Sequence, residues 1–155
     1  MTGLIVVDHG SKLDAANQML EQAVELMMAS PGFNFEPILA AHMDLASPSI
    51  AEAMAQLYTL GVREVIVFPY FLSPGRHTQE DIPRLTRDAA APLPGMKALV
   101  AEPFGLSPKL IDAALQRIRA CRDAAASPAP RRKSGGTTRI QTNSNRTTRR
   151  MKPQM

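Results

Sequence analysis

Three histidines stand in this chain of 155 residues, and two of them occupy equivalent places. In "VVDHGS" (6–11) His9 directly follows an apolar run and precedes a glycine. In "VIVFPYFLSPGRHTQEDIP" (65–83) His77 again follows an apolar run, this time after a glycine turn. Imidazole accepts protons near neutrality and ligates borderline divalent metals, which favour a nitrogen and carboxylate donor set. A carboxylate is available: "AHMDLASPSI" (41–50) carries Asp44 two residues after the third histidine, His42. A single histidine at the end of an apolar run is commonly a hydrogen-bonded loop residue. Its recurrence is what points to one site that handles metal or protons. His42 is the weakest candidate of the three, with packing against a neighbouring helix as its alternative. His77-x-x-Glu80 would put both groups on one helical face, although Glu80 equally suits the first turn of a helix.

Competing chemistries lack their motifs. There is no G-x-G-x-x-G after the first apolar run, no G-x-x-x-x-G-K-[ST] and no G-x-S-x-G. The single Cys121 offers neither an internal disulfide nor a thiolate metal framework, and as a nucleophile it is far in sequence from both strand-end histidines. A phospho-receiver domain would carry a cluster of acids after its first strand and an Asp after its third. Here those places hold Asp8-His9 and His77.

The elements that must position these residues follow from periodicity. "GLIVV" (3–7), "FEPILAA" (35–41), "EVIVFPY" (64–70) and "KALVAEP" (97–103) are short runs rich in Val, Ile and Leu, as expected of strands buried on both faces of a parallel sheet. Between them, helices are predicted over 13–29, where Ala16, Leu20, Ala23, Val24 and Met27 recur at helical spacing, and over 49–60, 78–91 and 108–122. Ser47-Pro48 and Ser107-Pro108 read as caps followed by a first-turn proline, and Ser49-x-x-Glu52 is an alternative capping box. Gly61 and Gly95 sit where helix exits need a left-handed residue. The order βαβαβαβα predicts an α/β three-layer sandwich: one four-stranded parallel sheet with helices on both faces. With a flavodoxin-like strand order 2-1-3-4, the loops carrying His9 and His77 leave adjacent strands. His9, His42, Asp44, His77 and Glu102 then share the carboxyl edge, where such sheets bind ligands.

Length and 45% hydrophobic content suit one domain with a real core. No apolar run is long enough for a membrane span, and with the first strand starting so near Met1 no leader is expected in this sequence. Charge is uneven. Residues 1–130 carry ten Lys/Arg against fourteen Asp/Glu, a net of −4, whereas "RRKSGGTTRIQTNSNRTTRRMKPQM" (131–155) carries eight basic residues and no acid. That composition lacks core-forming residues, so 123–155 is expected to be a disordered basic tail. Without aromatics or periodicity in it, nucleic acid is not the expected partner.

Taken together, "VVDHGS", "AHMDLASPSI", "FPYFLSPGRHTQEDIP" and "AEPFGLSPKL" resemble the short class II tetrapyrrole chelatases, the sirohydrochlorin ferrochelatase and cobaltochelatase group of CbiX and SirB type. The resemblance covers residues 3 to 120 and marks 1–122 as a chelatase-like lobe. It implies insertion of Fe²⁺ or Co²⁺ into sirohydrochlorin, with His9, Asp44 and His77 near the metal and with His9 and His77 sharing metal handling and proton abstraction. Asp44 departs from the Glu common at that position. "AHM" looks closest to the plant and algal branch, which implies iron and siroheme. Because the cysteine-bearing C-terminal extension of plant members is missing, no iron–sulfur cluster or other permanently bound cofactor is expected. The flat, carboxylate-rich macrocycle calls for apolar contact together with cations and donors, for which Ser11, Lys12, Ser73 and Arg76 are candidates. A short lobe offers one wall, and longer relatives carry two lobes in one chain, so the resemblance also implies a homodimer. The alternative is a non-catalytic metal or tetrapyrrole carrier using the same edge. A cytoplasmic protein, and a plastid protein relieved of its transit segment, would read alike.

Overall fold

The computed structural model of the protein describes residues 1–126. Residues 127–155, which hold most of the expected basic tail, lie outside the described residues. Four strands, β1 (Thr2–Asp8), β2 (Ile38–His42), β3 (Glu64–Pro69) and β4 (Lys97–Val100), form one parallel sheet in the order β2-β1-β3-β4. The register pairs Asp8 with His42 on one side of β1 and Val7 with Pro69 on the other. The 2-1-3-4 order expected from the sequence is the order observed.

Alternation along β1 and β3 sends side chains to two cores. Ile5, Val7, Val65 and Val67 pack with Ile50, Ala53, Met54 and Leu57 of α2 (Ile50–Thr59) and with Ile82 and Ala89 of α3 (Ile82–Ala90). Leu4 and Val6 face Leu20 and Val24 of α1 (Asp14–Met28). The result is three layers: α1, the sheet, then α2 with α3. Only β1 is buried on both faces as the apolar runs predict, while β3 alternates between buried and half-buried. The edge strand β4 alternates between exposed and half-buried, with Leu99 60% exposed.

Helix α2 is capped by Ser49, not by Ser47-Pro48. Ser49 Oγ accepts from the Glu52 amide at 3.3 Å and Glu52 Oε2 accepts from the Ser49 amide at 2.6 Å, a reciprocal capping box. Pro48 is engaged elsewhere, its carbonyl accepting the His42 amide at 2.8 Å as an extension of β2. Gly61 leaves α2 at a φ of 85°, and its amide donates to the Tyr58 carbonyl, as a left-handed helix exit requires.

The helix expected over 78–91 divides in two. Residues His77–Asp81 form a π-helical turn in which the Ile82 amide donates to His77, five residues back, before α3 continues. Pro83 provides the reason: it has no amide for the Gln79 carbonyl, and its ring crowds that carbonyl, so the preceding turn widens. The last helix, α4 (Pro108–Ala126), runs four residues beyond the expected 122 and into the expected tail. Asp123-Ala124-Ala125-Ala126 favours helix on its own propensity, and the next proline is Pro128. By its internal contacts the chain divides into Met1–Ala114 and a second unit beginning at Leu115 within α4. No residue of α4 is buried, and Ile111, Leu115 and Ile118 are exposed at spacings of four and three along one stripe.

Candidate active site at the carboxyl edge of the sheet

Strands β1 and β3 are neighbours, so the loops at their carboxyl ends leave side by side and bring His9 and His77 together. The ring centroids lie 5.3 Å apart at an interplanar angle of 70°. The Phe71 ring sits 6.5 Å from His77 and forms an apolar flank.

Each histidine is held by partners that the sequence motifs did not single out. His9 Nδ1 lies 3.3 Å from the Gly10 carbonyl, which can only accept, so Nδ1 is the donor in this contact. The turn itself is fixed on both sides. Asp8 Oδ1 accepts the Gly10 amide at 2.9 Å, while the Asn17 side chain both accepts the Ser11 amide and donates to the Ser11 carbonyl, each at 2.9 Å. Gly10 has a φ of 83°, and a Cβ there would meet the Asp44 carbonyl oxygen at 2.0 Å, so only glycine lets the two loops approach this closely.

His77 Nδ1 lies 2.9 Å from Asp81 Oδ2, an i,i+4 pair. The His77 hydrogen bond, assisted by the charges of Arg76, His77 and Arg84, outweighs desolvation and lowers the Asp81 carboxyl below its ordinary value. An ionised Asp81 accepts the Nδ1–H and fixes the orientation of the His77 ring. The buried Thr78 hydroxyl accepts the Gly75 amide at 2.9 Å and donates to the Gly75 carbonyl at 3.0 Å, which closes the turn leading to the ring. In both rings Nδ1 is engaged by a nearby acceptor, and Nε2 is the nitrogen that a proton or a divalent cation would meet.

The other expected site residues divide by position. Asp44 is exposed in the β2–α2 loop. Its carboxylate accepts the amide of Leu45, which has a φ of 61°, at 2.8 Å, and its own amide donates to the His9 carbonyl at 3.0 Å. Ser11 Oγ accepts the Leu13 amide at 3.1 Å and retains its own proton for donation. Lys12 and Ser73 are exposed on the two histidine loops. Arg76 is exposed and lies 3.8 Å from Glu80, so Glu80 partners Arg76, and the carboxylate beside His77 is that of Asp81. Glu102 lies exposed beyond the end of β4. His42 does not join the ring pair: it is buried at the end of β2 against Asp8. Among the described residues, no three His, Cys, Asp or Glu side chains form a ready-made metal cage. Asn17, Thr78 and Asp81 escaped the sequence reading, and Asp8 entered it only as the residue before His9. The available signal was an aspartate ending a buried apolar strand, where its type is disfavoured, and a Gly-x-x-Thr around the second histidine.

Apolar surface also reaches this edge. Leu13, Leu45, Leu72 and Leu106, one from each loop that follows a strand, are all exposed, and Tyr70 packs edge-on at 5.0 Å against Phe104.

Comparison with known proteins bears on this geometry. The profile of the CbiX family matches residues 3–121. The chain is 42% identical over 120 residues to the chloroplastic sirohydrochlorin ferrochelatase of Arabidopsis thaliana, covering 77% of this chain and 52% of that protein, so it spans about half of that relative's length. It is 27% identical over 139 residues to the sirohydrochlorin cobaltochelatase of Methanopyrus kandleri, covering 77% of this chain and 96% of that one. A crystal structure of a cobalamin biosynthesis CbiX protein from Marinobacter aquaeolei VT8 superposes with a TM-score of 0.64 at 28% identity, over 82% of this chain and all of the other.

Proposed function

The chain belongs to the CbiX family, and from that premise we propose that it inserts a divalent metal ion, Fe²⁺ in preference to Co²⁺, into sirohydrochlorin. The observation that carries this reading is the pair of imidazoles 5.3 Å apart, on the loops that follow β1 and β3, each with Nδ1 engaged. Insertion requires two pyrrole N–H protons to leave and a partly desolvated cation to reach the ring nitrogens. A neutral imidazole can accept a proton at physiological pH, and it binds Fe²⁺ or Co²⁺ without the grip of a thiolate. His9 and His77 share these two tasks, and Asp44, exposed in the loop whose amide pairs with the His9 carbonyl, is assigned as a third, transient ligand. Ser11, Lys12, Ser73 and Arg76 flank the pair and supply donors and cations for the substrate's carboxylates.

Iron is preferred because the 42% identical relative is named a ferrochelatase. Cobalt is the second reading, supported by archaeal relatives named cobaltochelatases, among them one 35% identical over 86 residues from Methanocaldococcus jannaschii. Mixing the purified chain with sirohydrochlorin and Fe²⁺, Co²⁺ or Ni²⁺ and following absorbance tests the proposal. Turnover above the spontaneous rate, fastest with Fe²⁺, is expected. Stoichiometric binding without turnover would replace the enzyme with a carrier.

A further inference from the structure

The buried histidine and the aspartate beside His9 form a device for which the reaction itself gives no reason. His42 is 2% exposed, and its Nδ1 lies 2.6 Å from Asp8 Oδ1. That same oxygen accepts the Gly10 amide at 2.9 Å. Asp8 and Gly10 are the two residues that flank His9, so one carboxylate oxygen spans the histidine turn, and His42 fixes where that oxygen lies. His42 is anchored in its turn by its backbone amide, which donates to the Pro48 carbonyl at 2.8 Å. The Met43 and Asp44 amides donate to the Asp8 and His9 carbonyls at 2.8 and 3.0 Å, and an added Cβ at Gly10 would stand 3.0 Å from the His42 Cβ.

A polar ring in this position costs desolvation that an apolar side chain of equal volume would avoid. Packing alone therefore does not account for it, whereas a need to hold the Asp8 carboxylate in one rotamer does. We infer that His42 is a positioning residue that acts through Asp8: its Nδ1–H orients the carboxylate that grips the Gly10 amide, and so sets the direction in which His9 presents its ring. This rests on the reading of His9 as a reacting group, and a reaction of this kind loses rate steeply when a group is displaced by about an ångström.

The test uses two amides in the full chain. His42→Asn places its amide nitrogen where Nδ1 lay, and His42→Gln places it where Nε2 lay. In His42→Gln, kcat for metal insertion is expected to fall about 10- to 100-fold with KM for sirohydrochlorin changed less than about twofold, and His42→Asn is expected to recover most of the loss. In ¹⁵N spectra the Gly10 amide should move and exchange faster in His42→Gln but not in His42→Asn. That readout needs no turnover, so the inference can be judged even if the wild-type chain inserts no metal and the chelatase reading falls. Should His42→Gln fail to fold, His42→Phe, which keeps the ring volume, takes its place. An unmoved Gly10 amide, equal loss in both amide variants, or activity that falls only with the folded fraction would overturn the inference.

Discussion

His9 and His77 carry the reaction only if each imidazole does work that its partner cannot take over. Replacing either by Ala is expected to lower kcat by about 10²- to 10⁴-fold. The protein should stay folded, because both rings sit at strand-end turns outside the two cores. The double variant should be little worse than either single one, since groups that serve one step are not additive. Turnover measured beside thermal unfolding checks this; a few-fold effect, or activity that tracks the melting temperature, would remove the site. These two residues were legible in the sequence because each interrupts the boundary between an apolar run and a glycine turn. Their tautomers were not, since these depend on Gly10 and on Asp81, and the latter is brought beside His77 by the geometry of the turn.

At the scale of single elements, the cap of α2 and the interior of α3 carry predictions of their own. The hydrogen bond from the Ser49 amide, followed by that from its hydroxyl, lowers the Glu52 carboxyl below its ordinary value. A group whose pKa is lower in the folded state stabilises fully above its unfolded value and loses that contribution as pH falls through the folded one. Glu52→Gln should therefore flatten the acid side of the stability curve at and below about pH 4.3 and leave stability near neutrality little changed, because Gln keeps the capping box. Thermal melts across that range would expose an error as parallel curves. In α3, the Thr86 hydroxyl is buried and has no hydrogen-bond partner among the described residues. Thr86→Val keeps the shape and removes the orphan, and urea unfolding should show a gain of about 1 kcal/mol; a loss would mean that the hydroxyl has a partner in solution. The helix was legible from its spacing, whereas the π turn before it was not, since a proline at position 83 is compatible with several ways of relieving one carbonyl.

For the whole molecule, one sheet edge supplies one wall for a macrocycle. The chain matches 96% of the Methanopyrus relative but only 52% of the Arabidopsis one. We propose that two copies associate, through surface of the kind offered by Leu99 on the edge strand β4. Light scattering should report twice the 16.8 kDa chain mass; a monomer with and without substrate would exclude it. Both cores lie within the first 100 residues. Truncation after Ala126 is accordingly expected to leave the melting temperature within a few degrees of the full chain. If metal insertion fell all the same, the eight basic residues of 131–155 would be implicated in gathering the acidic substrate.

The alternation of strands and helices, the placing of both histidines at one edge and the family resemblance were legible before any folding was considered, because these rest on local periodicity, turn residues and short motifs that each carry their own signal. The tertiary structure alone decided which carboxylate meets which imidazole. Asp8 pairs with His42 across 34 positions and Asp81, not Glu80, partners His77. The reason is physical. Strand pairing sets Asp8 beside His42 in register, and a proline sets the turn that carries His77 toward Asp81. A hydrogen bond of this kind depends on ångström-scale placement fixed by packing, and the spacing of residues along the chain does not encode it.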